Sequence, residues 1–258
     1  MNNNKKILLI GANGYIGSKL FECLKKHKLH VIGIDNLFRN SENSIISDDI
    51  KFISYQNLRS QDLDDFTDCV WVAGHSSVQI SMQDEHGALR NNLFDLINFY
   101  NLFRGRFIYA SSASVYSRDN PQKSNEESPL MIPKNVYDYT KIAFDNYIGA
   151  TNSKAIGLRF GTVNGYSKRI RHELIINSMY KSSVENGYLN VNNINKSRGI
   201  LFIDDLINGI LKIIKSDVDT GIYNMSSINL TIEQIAQKTS DIMKSKIKKL
   251  NDTITYDF

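Results

Sequence analysis

The stretch KILLIGANGYIG, from Lys6 to Gly17, constrains this chain more than any other. An apolar run without alternation meets three glycines, Gly11, Gly14 and Gly17, and Ile16, Leu20 and Leu24 then recur at helical spacing. That is a strand turning directly into a helix. Glycine is needed where a strand turns sharply, where backbone must approach a bound group, and where helix packs closely on strand. The helix N-terminus then offers unpaired N–H groups and the positive end of its dipole to an anion. Gly11, Asn13, Gly14, Tyr15, Ile16 and Gly17 are therefore candidates to cradle the phosphates of a dinucleotide.

The second apolar run, HVIGID, ends in Asp35, about 20 residues beyond the glycines, where a carboxylate can accept hydrogen bonds from an adenosine ribose. Asn36 belongs to the same turn. Asp-Asn also opens turns, so capping of the next turn is the competing role for Asp35. A carboxylate repels a 2′-phosphate, which points to NAD(H) over NADP(H), with Arg39 as the nearby cation that pulls the other way.

Further apolar runs (DIKFIS, CVWVAG, RFIYAS, AIGLRF) alternate with helical patterns at Leu89 to Phe103 and Val136 to Ala150. This rhythm predicts an α/β fold, a Rossmann-like doubly wound parallel sheet with helices on both faces. The regularity breaks after about Gly165. Helical patterns at Glu173 to Val184, Asp204 to Lys215 and Thr231 to Lys244 then flank a loop-like stretch. The expectation is a cofactor-binding domain over 1–165 and a small, shortened C-terminal substrate-binding part over 166–258, with about 200–225 returning to the first domain.

Composition narrows the classes. Hydrophobic residues at 41% and charged residues at 22% fit an ordinary globular chain able to bury a core, not a disordered one. The net charge of +4 is spread along the sequence without a basic stripe, which argues against nucleic acid as partner. No apolar run approaches the roughly 20 residues of a membrane span, and the run after the first lysines is too short for a secretory leader. Cys23 and Cys69 read as free thiols of a reducing cytoplasm. The Asn-rich pieces NNNKK and NVNNINKS read as a terminus and a loop.

The chemistry concentrates in two segments, FIYASSASVY and VYDYTK. On a helix, residues four apart share a face, so Tyr137 and Lys141 are neighbours while Tyr139 points elsewhere. A phenol with a pKa near 10 is a poor base at neutral pH, but a nearby ammonium and an oxidised nicotinamide both favour the phenolate. Such a tyrosine can take a proton from a sugar hydroxyl as hydride leaves its carbon. A hydroxyl at the end of the preceding strand would complete the site.

GANGYIG, Asp35, SSASVY, the Tyr137-to-Lys141 spacing, LRFGTVNG and RGILFIDDL, in this order, resemble the extended short-chain dehydrogenase/reductases of the nucleotide-sugar epimerase and dehydratase family. The resemblance implies a Rossmann fold, a tightly held NAD, a nucleotide-diphosphate sugar as substrate and a homodimer, here through the helices at Leu89 to Phe103 and Val136 to Ala150. It makes Tyr137 the acid/base, Lys141 the residue that lowers its pKa and binds the nicotinamide ribose, and Ser112 the partner of the substrate oxygen, with Ser111 and Ser114 as competitors. Ala73 and Gly74 match the turn beneath the pyrophosphate, and Ser76 and Ser77 lie toward the substrate. His75 between them reads as an ordinary hydrogen-bonded loop histidine. Asn57 and Leu58 match the adenine-contacting pair, where aspartate is commoner than asparagine. Arg198 and Asn177 match diphosphate-binding positions, and Arg169 and Arg171 join them because the arginine fork suits phosphate oxygens.

Dehydration in such enzymes needs an aspartate-glutamate pair directly after the hydroxyl residue, where this chain has Ala113 and Ser114. Reversible oxidation of a sugar hydroxyl remains, with a sugar 4-epimerase the leading expectation. A nucleotide-sugar dehydrogenase or 4-keto-reductase is the alternative, and an inactive cofactor-binding sensor or scaffold the further one. Two departures stand out: VNGY at Val163 to Tyr166 replaces a proline-containing turn, and the sequence ends soon after YNM, which predicts a substrate held by fewer groups, a partner subunit that closes the site, or loss of catalysis.

Overall fold

The structure is a computed structural model that describes residues 5–38, 47–116, 124–151 and 154–250; Arg39 and the last residues of the chain lie outside that set. The strands are β1 Lys6–Ile10, β2 His30–Ile34, β3 Ile50–Lys51, β4 Asp68–Trp71, β5 Arg106–Ser112, β6 Ala155–Phe160, β7 Thr162–Asn164, β8 Tyr188–Val191, β9 Ser197–Phe202, β10 Gly221–Met225, β11 Ile228–Thr231 and β12 Lys246–Lys249. The helices are α1 Tyr15–Lys26, α2 Ser60–Leu63, α3 Val78–Gln83, α4 Glu85–Leu89, α5 Asp95–Leu102, α6 Val136–Ala150, α7 Ile175–Asn186, α8 Ile203–Lys215 and α9 Ile232–Met243. Two compact units result: one holds Met1–Arg159, Ser167–Arg169 and Ile207–Asn224, the other Phe160–Tyr166, Ile170–Leu206 and Met225–Phe258.

The first unit is built on a seven-stranded sheet in the order β10-β6-β5-β4-β1-β2-β3. β1 pairs in parallel with β2 and with β4, β2 with β3, and β4 with β5, which is the Rossmann-like arrangement that the apolar rhythm predicts. The strands are apolar without alternation because helices cover both faces: Ile7, Leu8, Leu9 and Ile10 are all buried, as is every residue of β4. An aromatic spine of Trp71, Phe99, Phe103, Phe107, Tyr109 and Phe144 fills the space between sheet and helices. Trp71 packs edge-on to Tyr55 with ring centroids 4.7 Å apart, and Phe144 on Tyr109 at 4.8 Å.

The sequence pattern overstates one strand. DIKFIS reads as a full strand, yet only Ile50 and Lys51 pair, and Phe52 and Ile53 are exposed. β3 is the last strand of the sheet with one neighbour, so little holds its far end. The helix expected from Leu89 starts earlier, at Glu85 behind an Asp84 N-cap, and passes through a π-turn at Arg90–Phe94 before α5.

The second unit contains a three-stranded sheet, β11-β9-β7, and a two-stranded one, β12-β8. Their core is Met179, Leu189, Val191, Ile200, Ile232 and Ile235. The stretch read as a loop between helices therefore corrects to strand ends: β8 runs to Val191 and β9 starts at Ser197. Their short alternating segments, two to three apolar residues each, carry too weak a period to stand out among asparagines. Among the described residues no helix is long and apolar enough to cross a membrane.

Candidate active site

The sheet order reverses between β1 and β4, and GANGYIG leaves the carboxyl end of one while VAGHSS leaves that of the other. Gly11 sits at φ +86°, and a Cβ there would meet the Ala73 nitrogen at 2.7 Å. A Cβ on Gly17 would lie 1.9 Å from the Gly11 carbonyl oxygen, so the turn and helix admit no side chain at either place. Gly14 caps α1 without any side-chain hydrogen bond, and the first turn of α1 carries no acidic residue. The positive end of the helix dipole at that turn suits an anion.

Asp35 takes the turn-capping role that its sequence position suggests and is tied to the glycine turn as well. Its Oδ1 accepts from the Leu37 N–H at 2.8 Å, which is the turn cap, and its Oδ2 accepts from the Asn13 N–H at 2.8 Å, which ties it to the glycine turn. Each oxygen keeps a further lone pair, enough for two ribose hydroxyls. Asn36 is exposed and closes the same bend by accepting from the Phe38 N–H at 3.1 Å. Asn57 and Leu58 line a cavity of about 260 Å³ with Ile32, Ile34 and Lys51. A backbone anion cradle, a two-oxygen ribose partner and an apolar recess together fit NAD.

The candidate catalytic residues gather at β5 and α6. Asn135 caps α6, its Oδ1 accepting from the Asp138 N–H at 2.9 Å. Lys141 follows Tyr137 by one turn; its Nζ lies 5.8 Å from the centre of the Tyr137 ring and donates to the Ala110 carbonyl at 2.8 Å. Burial pushes the Lys141 ammonium down to about 8, against the upward pull of Asp145. Tyr139 is 48% exposed on another face of the helix.

The three candidate serines separate cleanly. Ser111 turns inward and donates to Asp145 Oδ2 at 3.0 Å, joined there by Arg159 Nε at 2.9 Å, while Tyr109 donates to Oδ1 at 2.9 Å. Ser112 and Ser114 face each other with their Oγ atoms 2.9 Å apart, and Ser114 continues to Asp138 Oδ1 at 2.5 Å. Sequence reasoning passed over Asp138 and Asp145. The second was legible as the next step of the Tyr137, Lys141 face; nothing local marks the first, which abuts Tyr137 but is wholly buried.

After β4, Ser77 caps α3 by accepting from the Ile80 N–H at 3.3 Å, and Ser76 is exposed. His75 is a satisfied loop histidine. The π-turn brings successive asparagines to it: Asn92 Oδ1 accepts from its N–H at 2.8 Å and Asn92 Nδ2 donates to its carbonyl at 3.0 Å, while Asn91 Nδ2 reaches Nδ1 at 3.4 Å. With Nδ1 accepting, Nε2 donates to Asp84 at 3.1 Å. In the second unit both ends of the Asn177 amide meet backbone, Oδ1 accepting from Gly165 N–H at 3.1 Å and Nδ2 donating to Arg171 O at 2.9 Å, so this residue braces the segment before α7. Arg171 pairs with Glu173 at 2.8 Å and Arg198 donates to the Ser197 carbonyl at 3.1 Å. Arg169 lies in the first unit.

A seven-stranded, mostly parallel Rossmann sheet with a glycine turn at its switch point and a Tyr-x-x-x-Lys helix beside it defines a nicotinamide-dependent enzyme fold of the short-chain dehydrogenase/reductase type. The chain belongs to the NAD dependent epimerase/dehydratase family, whose sequence pattern matches residues 7–226, and its cofactor is NAD. It is 29% identical over 250 residues to an uncharacterized protein of Methanocaldococcus jannaschii, covering 86% of this chain and 76% of that protein. Against protein CapI of Staphylococcus aureus it is 27% identical, covering 81% of this chain and 69% of CapI. UDP-glucuronic acid 4-epimerase from Bacillus cereus, solved with UDP-glucuronic acid and NAD, superposes with a TM-score of 0.83 at 23% identity, covering 96% of this chain and 86% of that one.

Proposed function

We propose that this chain is an NAD-dependent epimerase of a nucleotide-diphosphate sugar, acting at the sugar 4-position. The observation that carries it is the pairing of Tyr137 with a Lys141 ammonium that is anchored on Ala110 O, two residues before Ser112. A bound NAD would supply the hydride acceptor, and then the hydride donor, at the sugar carbon. Tyr137 removes the hydroxyl proton as the carbonyl forms and gives it back when the carbonyl is reduced. Lys141 favours the phenolate by its charge, and Ser112 holds the same oxygen. Arg169, Arg171 and Arg198 are the candidate partners of the diphosphate, and Ser76 and Ser77 of the sugar. The family and the B. cereus structure with UDP-glucuronic acid support a nucleotide sugar as the substrate class, and that structure supports uracil among the bases.

The test is a panel of UDP-, GDP-, dTDP- and CDP-sugars incubated with the NAD-loaded protein, with products separated by chromatography. Interconversion of 4-epimers without net change in cofactor is expected. Net accumulation of reduced cofactor with an oxidised sugar product would establish a dehydrogenase instead, and inertness toward every sugar would establish a binding protein.

A further inference from the structure

Lys141 and Asp145 stand one turn apart on α6, where side chains of opposite charge ordinarily close on each other. Here they reach different groups of β5. Lys141 Nζ donates to the Ala110 carbonyl at 2.8 Å, whereas Asp145 accepts from the residues on either side, Tyr109 Oη to Oδ1 at 2.9 Å and Ser111 Oγ to Oδ2 at 3.0 Å. Arg159 on β6 completes the hold on the carboxylate. Its Nε donates to Oδ2 at 2.9 Å and its Nη1 to Tyr116 Oη at 2.8 Å, and Tyr116 donates on to Asn224 Oδ1 at 2.6 Å. Arg159 and Asp145 are 4% and 2% exposed, so neither charge has bulk water as an alternative partner.

Two buried cations thus compete for one anion. The guanidinium stays charged at any working pH and is fixed in direction by its two partners, so it takes the carboxylate. The ammonium spends one hydrogen on Ala110 O and keeps two to offer elsewhere. Among the described residues packed on α6, β5 adds the Tyr109 phenol, the π-turn sets the neutral Asn92 on Thr140, and α3 carries no ionisable side chain. The ionisable residues of the π-turn and α4, Arg90, Glu85 and His86, are exposed. On α6 itself Asp138 is turned to Ser114, which leaves Tyr137 and Asp145 as the groups of the Lys141 face.

We propose that Arg159 is a positioning residue for the pair Tyr137 and Lys141: by holding Asp145 it stops that carboxylate from closing an ion pair with Lys141, and so keeps the ammonium available to Tyr137 and the nicotinamide ribose. This rests on the reading of Lys141 as the partner of Tyr137 and of the cofactor. Without Arg159, Asp145 is a buried anion with a cation one turn back on its own helix, and the two close. An ammonium neutralised in this way stabilises a phenolate less, so Tyr137 becomes a poorer base, and one hydrogen fewer is left for the ribose.

The test is the pH midpoint of Lys141 acylation, followed by mass spectrometry on the full chain without added NAD; the native midpoint lies at about 8. Arg159→Gln should raise it by roughly one to three units, the shift that a close opposite charge produces. Arg159→Lys keeps a cation and strands no charge, so it folds where Arg159→Gln does not; two ammoniums then share the carboxylate, and the midpoint should rise by less. Asp145→Asn should lower the midpoint, and Asp145→Asn combined with Arg159→Gln should match Asp145→Asn alone, because Arg159 acts through the carboxylate. With a sugar that the native protein turns over, the limb of kcat that rises with pH should move to higher pH in both single Arg159 variants. A midpoint that stays at the native value or falls in either folded Arg159 variant, or a double variant that lies above Asp145→Asn, overturns this inference while the Tyr137 reading stands. Turnover that survives Tyr137→Phe and Lys141→Met, or a native protein inert toward the whole sugar panel, overturns that reading and the role of Arg159 with it.

Discussion

At the scale of single residues, VYDYTK places two phenols near one lysine, and the structure separates them by face. Tyr137 stands 5.8 Å from the Lys141 ammonium, measured to its ring centre, whereas Tyr139 is half exposed. Tyr137→Phe is expected to lower turnover by at least 100-fold, the size of a general acid–base contribution, with NAD affinity kept. Tyr139→Phe should stay within twofold of the native rate; the reverse pattern in steady-state assays would move the acid/base to Tyr139. Lys141 carries a second prediction. Its ammonium is desolvated and titrates near 8 when folded, below its ordinary value. The unfolded chain thus holds that proton more tightly, so this group's cost to stability is full below about pH 8 and disappears as pH rises past the unfolded value. Site-resolved acylation should show Lys141 gaining reactivity near pH 8. Asp145→Asn removes the attraction that opposes desolvation and should move that midpoint lower. A midpoint that rises, or one at the value of a surface lysine, would contradict the electrostatic argument.

At the scale of elements, Asp145 does more than bias Lys141. It ties α6 to β5 through Tyr109 and Ser111 and to β6 through Arg159, and Arg159 extends the link to Tyr116 at 2.8 Å. Removing one partner of a buried ion pair strands the other, at about 3–5 kcal/mol. Arg159→Ala and Asp145→Ala should each lower the unfolding free energy measured by urea titration by that order, and the double variant should cost far less than the sum of the two. Strict additivity would mean that the two residues do not act as a unit. This network also shows where sequence reading stops. Helical spacing located the face that carries Tyr137 and Lys141, and the glycine turn with Asp35 was legible because its residue types are dictated by backbone geometry. Ser111 and Ser112 are adjacent serines whose roles differ only because successive strand residues point to opposite faces, and that assignment needs the register of β5. Asp138 and Asn92 were invisible because their partners, Ser114 and His75, are distant in sequence.

At the scale of the whole molecule, surface apolarity bears on assembly. Phe94 in the π-turn, Leu102 at the end of α5 and Tyr139 on α6 are 57%, 41% and 48% exposed, and α6 packs against α4 and the π-turn. Large side chains exposed on neighbouring helices argue for a covered surface, and two such helices from each of two copies would form a four-helix contact. A stable dimer buries about 800 Å² per partner, within reach of two helices of this length. Sedimentation velocity on the NAD-loaded protein should therefore give one species at twice the chain mass. Phe94→Glu adds an unpaired charge to the centre of that contact and should shift the protein to the single-chain mass without loss of NAD binding, while Ile242→Glu, an exposed change on α9, should leave the dimer intact. A native protein that sediments as one chain at micromolar concentration would remove the dimer. A dimer that survives Phe94→Glu, Leu102→Glu and Tyr139→Glu together would place its contact elsewhere on the fold.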